Sequence, residues 1–316
     1  MPPANARRGL VAWAALGHET AGHDILHADT GLEAELAVAL REALRPLGHD
    51  LDQYWSSRID ETASDFMGIL NTGPAAGVGL IVYFRALNAA FTGEAKLRSE
   101  GPDEDPHPAD VLRGYLAAET VALLKFTGHR AWSNLIADET FKDVDTIVLA
   151  GEMVAPDVAR QSAKLAAQTL ARYRAQALEN HALAEIQNWR DSDERKVKLL
   201  RSALRQGREA PASASPFYAA HAVAAAVTEA LADGRQIHSL FNRLVAMLSV
   251  MHGRNASWGP LRLGHPGNIH RDRVYYPQPA TPTDGHSRSV RLLPRKLMRR
   301  KGPVRSTKLS PARHRG

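Results

Sequence analysis

Cysteine is absent from the 316-residue chain. Its absence excludes disulfides and thiolate metal sites, so any metal centre has to be built from histidine and carboxylate. Strand signals are few, aromatic residues amount to only 6%, and apolar residues recur mostly at helical spacing, which points to a mainly α protein. No run approaches the roughly 18 apolar residues of a membrane span. Residues 1–8 carry positive charge, but no cleavage-type segment follows the apolar run after them. A soluble, cytoplasmic protein without membrane contact is the expectation. There is no internal repeat, and the length allows a substantial core in one or two domains.

Acidic residues are missing from the C-terminal end. Of the 40 Lys and Arg residues, eleven fall within 285–316, where there is no Asp or Glu, so the other 29 face 34 acids and the body of the chain is mildly acidic. The run Arg295-Lys296-Leu297-Met298-Arg299-Arg300-Lys301 would suit nucleic acid or an anionic surface. A solvated, disordered tail is the expectation, and nucleic acid is not an expected partner.

The chemistry concentrates in His18-Glu19-Thr20-Ala21-Gly22-His23-Asp24, at the end of an Ala-rich apolar run over 10–16. Two imidazoles able to hold a metal flank a carboxylate able to work on a water, the minimum set for metal-assisted hydrolysis. The histidines are five apart, which on a regular α-helix turns them roughly 140° from one another. Aiming both at one ion requires an i→i+5 widening between Glu19 and His23, and Gly22 gives the backbone freedom for it. Without that widening the stretch is an amphipathic helix with capped or half-exposed histidines.

A second cluster reads Ile59-Asp60-Glu61-Thr62-Ala63-Ser64-Asp65-Phe66-Met67-Gly68. Glu61 and Asp65 are four apart and share a helical face. The first stretch resembles the HELLGH signature of dipeptidyl peptidase III, and the second resembles the NExxSD helix of thermolysin-like peptidases. Over about residues 10–70 the chain is thus similar to gluzincin zinc metallopeptidases. The resemblance implies a helical zincin-like catalytic domain, Zn2+ as cofactor, and a peptide or protein substrate. It also implies His18, His23 and Glu61 as zinc ligands, Glu19 as general base, and Asp65 as the acceptor that orients the His18 ring. Asp60 stands where the thermolysin motif has Asn. The spacing from His23 to Glu61 is longer than thermolysin's and shorter than that of dipeptidyl peptidase III. Thermolysin-like enzymes also lay the substrate along an edge strand from upstream of the motif, whereas seventeen residues precede His18. Either that strand comes from elsewhere, the start lies further upstream, or helices and loops alone hold the substrate.

In chain order, 6–27 reads as one helix, and Leu32, Leu36, Leu40 and Leu44 mark the stripe of a second. Residues 51–70 form the carboxylate helix, with Asp50 or Asp52 as its cap. The strongly apolar stretch 77–91 reads as a helix, 92–108 as a loop, and 109–126 as a further helix. His107 stands just ahead of that helix, as does the histidine that stabilises the oxyanion in thermolysin-like enzymes. The resemblance gives His107 that role, with Tyr115 or Tyr54 as a second donor; a solvent-exposed loop histidine is the alternative. Residues 156–204 hold two or three long helices, one spanning 159–186. The expected organisation is a helical zincin-like catalytic domain over 1–206, a linker over 207–216, a helical C-terminal segment over 217–262 and an irregular to disordered basic tail over 263–316.

Zinc-dependent hydrolysis of a peptide bond is the leading function. Two rivals from other classes remain. An HD-type metal-dependent phosphohydrolase would use His23-Asp24 with His18, His27 and Asp65 as further ligands, and it requires Asp24 to face the metal and Glu19 to face away. A non-catalytic helical scaffold would leave His18, His23 and Glu61 scattered.

Overall fold

Leucine stripes and alanine-rich faces send most segments into helices that share one core, and the protein is mainly α. The computed structural model describes residues 9–28, 31–214, 216–255 and 258. These lie within one compact unit, and the expected tail over 263–316 falls outside the described residues.

A 3-10 turn, Val11–Ala15, leads into helix α1, residues 16–28. This helix is α over Leu16–His18, π over Glu19–His23 and α again over Asp24–Ala28. Over the described part of the stretch 6–27 a 3-10 turn and a helix with a change of pitch thus stand in place of the single expected helix, and residues 6–8 lie outside the described residues. Helix α2, Leu32–Leu44, buries the expected leucine stripe. The expected helix over 51–70 is two, α3 (Leu51–Ser56) and α4 (Ile59–Thr72).

The break between α3 and α4 comes from Arg58. Its buried guanidinium donates to the carbonyl oxygens of Tyr54, Pro102 and Asp103 at 3.2, 2.6 and 2.9 Å. The Arg58 backbone leaves the helical region, at φ −113° and ψ 28°. A rigid fork of N–H donors is satisfied best where loop carbonyls converge, and that requirement overrides the helical pattern. Neither aspartate caps α3. Asp50 holds the N-cap position in a left-handed conformation with no side-chain capping bond, and Asp52 lies in the first turn.

Helix α5 is Pro74–Thr92. It is long and apolar enough to cross a membrane, with mean hydropathy 1.4 over 18 residues, which corrects the expectation that no run reaches that length. Its first two turns are buried against neighbouring helices, and a Cβ on Gly79 would lie 2.2 Å from the Ala14 methyl. Packing inside the protein therefore accounts for the apolar composition of those two turns, while Leu87 and Phe91 further along are exposed.

Strand β1 (Glu100–Gly101) precedes helix α6 (Asp110–Ala122), and α7 (His129–Phe141), β2 (Ile147–Leu149), β3 (Glu152–Val154) and α8 (Pro156–Arg172) follow. Helix α6 is the hub, since α4, α5, α7 and α8 all pack on it. Strand β2 pairs parallel with β1 and antiparallel with β3, which ties the loop ahead of α6 to the connection after α7. The helix expected over 159–186 stops at Arg172. Beyond it, β4 (Arg174–Ala175) and β5 (His181–Ala182) form a hairpin. Glu179 and Asn180 turn the hairpin with φ of 53° and 61°. The carboxylate of Glu35 on α2 accepts from the Gln176 and Ala177 amides at 2.6 and 2.9 Å, so a tertiary contact ends the helix. The short α9 (Leu183–Ile186), then α10 (Asp191–Arg205), α11 (Ala219–Ala232) and α12 (Ile237–Arg254) complete the described fold. Across the 207–216 connection α10 packs on α11, with Arg201 and Arg205 both paired to Glu229.

The contact that positions the site is α1 on α4, made through small residues. A Cβ on Gly22 would come within 2.5 Å of the Ser64 Cα, and one on Gly68 within 2.9 Å of the His18 amide nitrogen. The two backbones touch, so side chains from both can meet at one point. Gly22→Ala should therefore destabilise the protein by about 1–3 kcal/mol through overpacking, outweighing the roughly 0.5–1 kcal/mol gained in helix propensity. Urea unfolding measures this, and an unchanged or higher midpoint would mean that the helices are not in backbone contact there.

Candidate metal centre

The π turn decides the geometry. The Asp24 amide reaches back five residues to the Glu19 carbonyl, the widening that the five-residue histidine spacing required. His18 and His23 consequently share a face, with Nε2 atoms 3.0 Å apart and rings edge to face at 89°. Glu61, in the first turn of α4, brings Oε2 to 3.3 Å from His18 Nε2 and Oε1 to 3.5 Å from His23 Nε2.

Carboxylates hold the far side of both rings. Asp65 Oδ1 accepts from His18 Nδ1 and Asp60 Oδ1 from His23 Nδ1, each at 2.8 Å. An ionised carboxylate only accepts, so each Nδ1 carries the hydrogen. Neutral rings then present two Nε2 lone pairs to each other and to the Glu61 oxygens. Four acceptors around one point repel unless a cation lies among them. Without a metal that cation is a proton on His18: burial opposes the charge, but the Asp65 bond, the Asp65 charge and the Glu61 bond raise this imidazole to about 9.

Arg113 completes the support. Its Nε donates to Asp65 Oδ2 at 2.7 Å and its Nη2 to Asp65 Oδ1 at 2.9 Å, with Glu61 Oε2 3.2 Å from Nη2. Burial would raise the Asp65 carboxyl, yet the Arg113 charge and the His18 bond hold it well below the usual carboxylate range. Glu61 is also lowered, because the His18 bond and the Arg113 charge outweigh its burial.

His18, Glu19, His23, Glu61, His107 and Arg113 line one cavity of about 340 Å³, whose apolar wall is Leu80, Tyr83, Phe84 and Leu87 of α5. The Glu19 carboxylate is exposed in it and has no hydrogen-bond or ion-pair partner among the described residues. His107 is half-exposed, with Nε2 3.4 Å from Glu61 Oε1 and Nδ1 2.9 Å from Asp105 Oδ1. A larger cavity of about 660 Å³ lies along α10 beside Trp132 and Trp189 and contains none of these residues.

Several expectations change. Tyr54 and Tyr115 are buried and do not line the cavity: the Tyr54 hydroxyl accepts from the Ala109 amide at 3.0 Å, and Tyr115 packs in the core on α6. The cavity tyrosine is Tyr83. Asp24 is exposed and outside the cavity while Glu19 lines it, the reverse of what the phosphohydrolase alternative requires. Of that alternative's other ligands, Asp65 faces the Nδ1 side of His18, and His27 faces Asp60. Nor are His18, His23 and Glu61 scattered, as a plain scaffold would leave them. Arg113 was not anticipated, although its position between Val111, Leu112, Tyr115 and Leu116 on an apolar face was a legible signal for a buried, paired charge. The Asp at position 60 also gains a reason, since it does for His23 what Asp65 does for His18.

Compared with known proteins, the chain matches no family model and shows no significant similarity to a curated protein or to a solved structure. Two measurements check this geometry. Arg113→Met leaves Asp65 buried without its main partner and should cost about 3–5 kcal/mol; a loss below about 1 kcal/mol would remove Arg113 from this role. In metal-free protein the His18 ring should titrate near 9 by NMR, and Asp65→Asn should lower that midpoint. Because the folded value is the higher one, the stabilisation is complete below the unpaired value of 6.5 and is lost as pH rises through about 9.

Proposed function

We propose that the protein is a zinc-dependent hydrolase, a metallopeptidase in which His18, His23 and Glu61 hold Zn2+ and Glu19 is the general base. One observation carries the reading. Ligand atoms of the three residues lie within 4.8 Å of one another, and the 3.3 and 3.5 Å histidine–carboxylate separations suit ligands each about 2.0–2.2 Å from a tetrahedral ion. The carboxylates behind both rings supply the outer hydrogen bonds that zinc-binding histidines need to fix their tautomers.

A zinc ion there would polarise a carbonyl and lower the pKa of a water towards ~7. The remaining chemistry belongs to the side chains. Glu19, unpaired at the cavity, takes the water's proton on a carboxylate oxygen and delivers it to the leaving amine. His107, its Nδ1 bonded to Asp105 Oδ1, is the cavity group that would donate from Nε2 to the oxygen that gains negative charge. Leu80, Tyr83, Phe84 and Leu87, at spacings of three and four along α5, offer an apolar wall to a substrate side chain, which suits a peptide better than a phosphoester.

Purified protein should carry about one zinc per chain at this site, and Glu61→Gln or His23→Ala should lower the affinity by orders of magnitude with the helical circular dichroism retained. Equal zinc content in all three proteins would sink the assignment. Glu19→Gln separates binding from chemistry: it should keep zinc while peptide turnover falls by about 10²–10⁴-fold. Loss of the metal from Glu19→Gln would show that Glu19 has the wrong role.

A further inference from the structure

We propose a second, exposed cation site on the outer side of α1, formed by His27 and Asp60, for a borderline divalent ion such as zinc. The site goes beyond the function proposed above and does not depend on it. His23 and His27 are four apart, and the return to α-geometry over Asp24–Ala28 puts their rings on one face, 5.7 Å between centroids. Asp60 on α4 faces both. Its Oδ1 lies 2.8 Å from His23 Nδ1 and 3.2 Å from His27 Nε2. Ligand atoms of His23, His27 and Asp60 all fall within 4.8 Å of one another.

The carboxylate is only half used. Asp60 Oδ2 has no partner among the described residues, so it can join His27 Nε2 on a cation while Oδ1 keeps His23 Nδ1. The His27 and Asp60 side chains are 58% and 37% exposed, and water can complete the coordination. One imidazole with one carboxylate selects zinc, cobalt, nickel or copper over magnesium, which takes oxygen ligands and keeps its waters. With two protein ligands the outer site is weaker than the inner one. It is also linked to it: a cation on Oδ2 draws charge from Oδ1, weakens the bond to His23 Nδ1 and so makes His23 Nε2 a poorer donor to the inner site. The competing account of the same contacts is an exposed His27–Asp60 ion pair, worth roughly 0–1 kcal/mol.

Full-length protein stripped with chelator and titrated with zinc by equilibrium dialysis distinguishes these. The wild type should take up a tight equivalent and a weaker one that survives millimolar Mg2+. His27→Ala should lose the weaker equivalent, its affinity falling more than about tenfold, the lower end of what even an indirect partner contributes, and should keep the tight one. His18→Ala should do the reverse. Other histidines among the 14 in the chain, His265, His270, His286 and His314 included, contribute a background common to wild type and His27→Ala. Coincident zinc isotherms for those two proteins would overturn the outer site and leave only the ion pair, as would displacement of the weaker equivalent by Mg2+. A His27-dependent equivalent without any tight one would support the outer site while refuting the zinc hydrolase reading.

Discussion

A fully buried carboxylate, Asp65, lies between the guanidinium of Arg113 and the ring of His18. A charge in that position is tolerable only when paired and hydrogen-bonded, and Arg113 meets both needs with two bonds. The consequence passes outward. Asp65 holds Nδ1 of His18, which turns Nε2 toward Glu61 and His23, and Arg113 reaches Glu61 with the same Nη2. Three helices, α1, α4 and α6, are thereby locked through one polar network inside an apolar core.

The network closes because the backbones carrying it are unusually close. Gly17 and Gly22 on α1 and Gly68 on α4 have no room for a side chain, so α1 lies directly on α4. The π turn within α1 then brings a histidine pair that a regular helix would splay onto the same side. Neither device stabilises the fold on its own account: a π turn is a poorer helix, and glycine weakens a helix interior. Both are sensible where a short-range arrangement of side chains is the outcome being held.

The loop between α5 and α6 brings the remaining groups. Arg58 captures the Pro102 and Asp103 carbonyls, Tyr54 captures the Ala109 amide, and β1 is tied to β2. These contacts fix both ends of the segment holding Asp105 and His107 and set His107 opposite Glu61. The apolar stripe on α5 closes the cavity from the other side.

Local pattern alone determined that the chain is mainly helical, that α2 buries a leucine stripe, and that the apolar stretch 77–91 is helical, because these follow from apolar spacing along a few turns. It also contained the need for an irregular turn between Glu19 and His23, since a five-residue spacing and a shared target are incompatible with 3.6 residues per turn. Distant partners decided the rest. The break at Arg58 follows from carbonyls 44 and 45 residues further on, and the end of α8 is set by Glu35, 141 residues before Gln176. The choice of Tyr83 over Tyr54 and Tyr115 at the cavity depended on which face of each helix the core claimed. Arg113 became part of the centre through Asp65, 48 residues away. A sequence shows which side chains can carry charge, but which of them share a buried point depends on contacts between helices that no local period encodes.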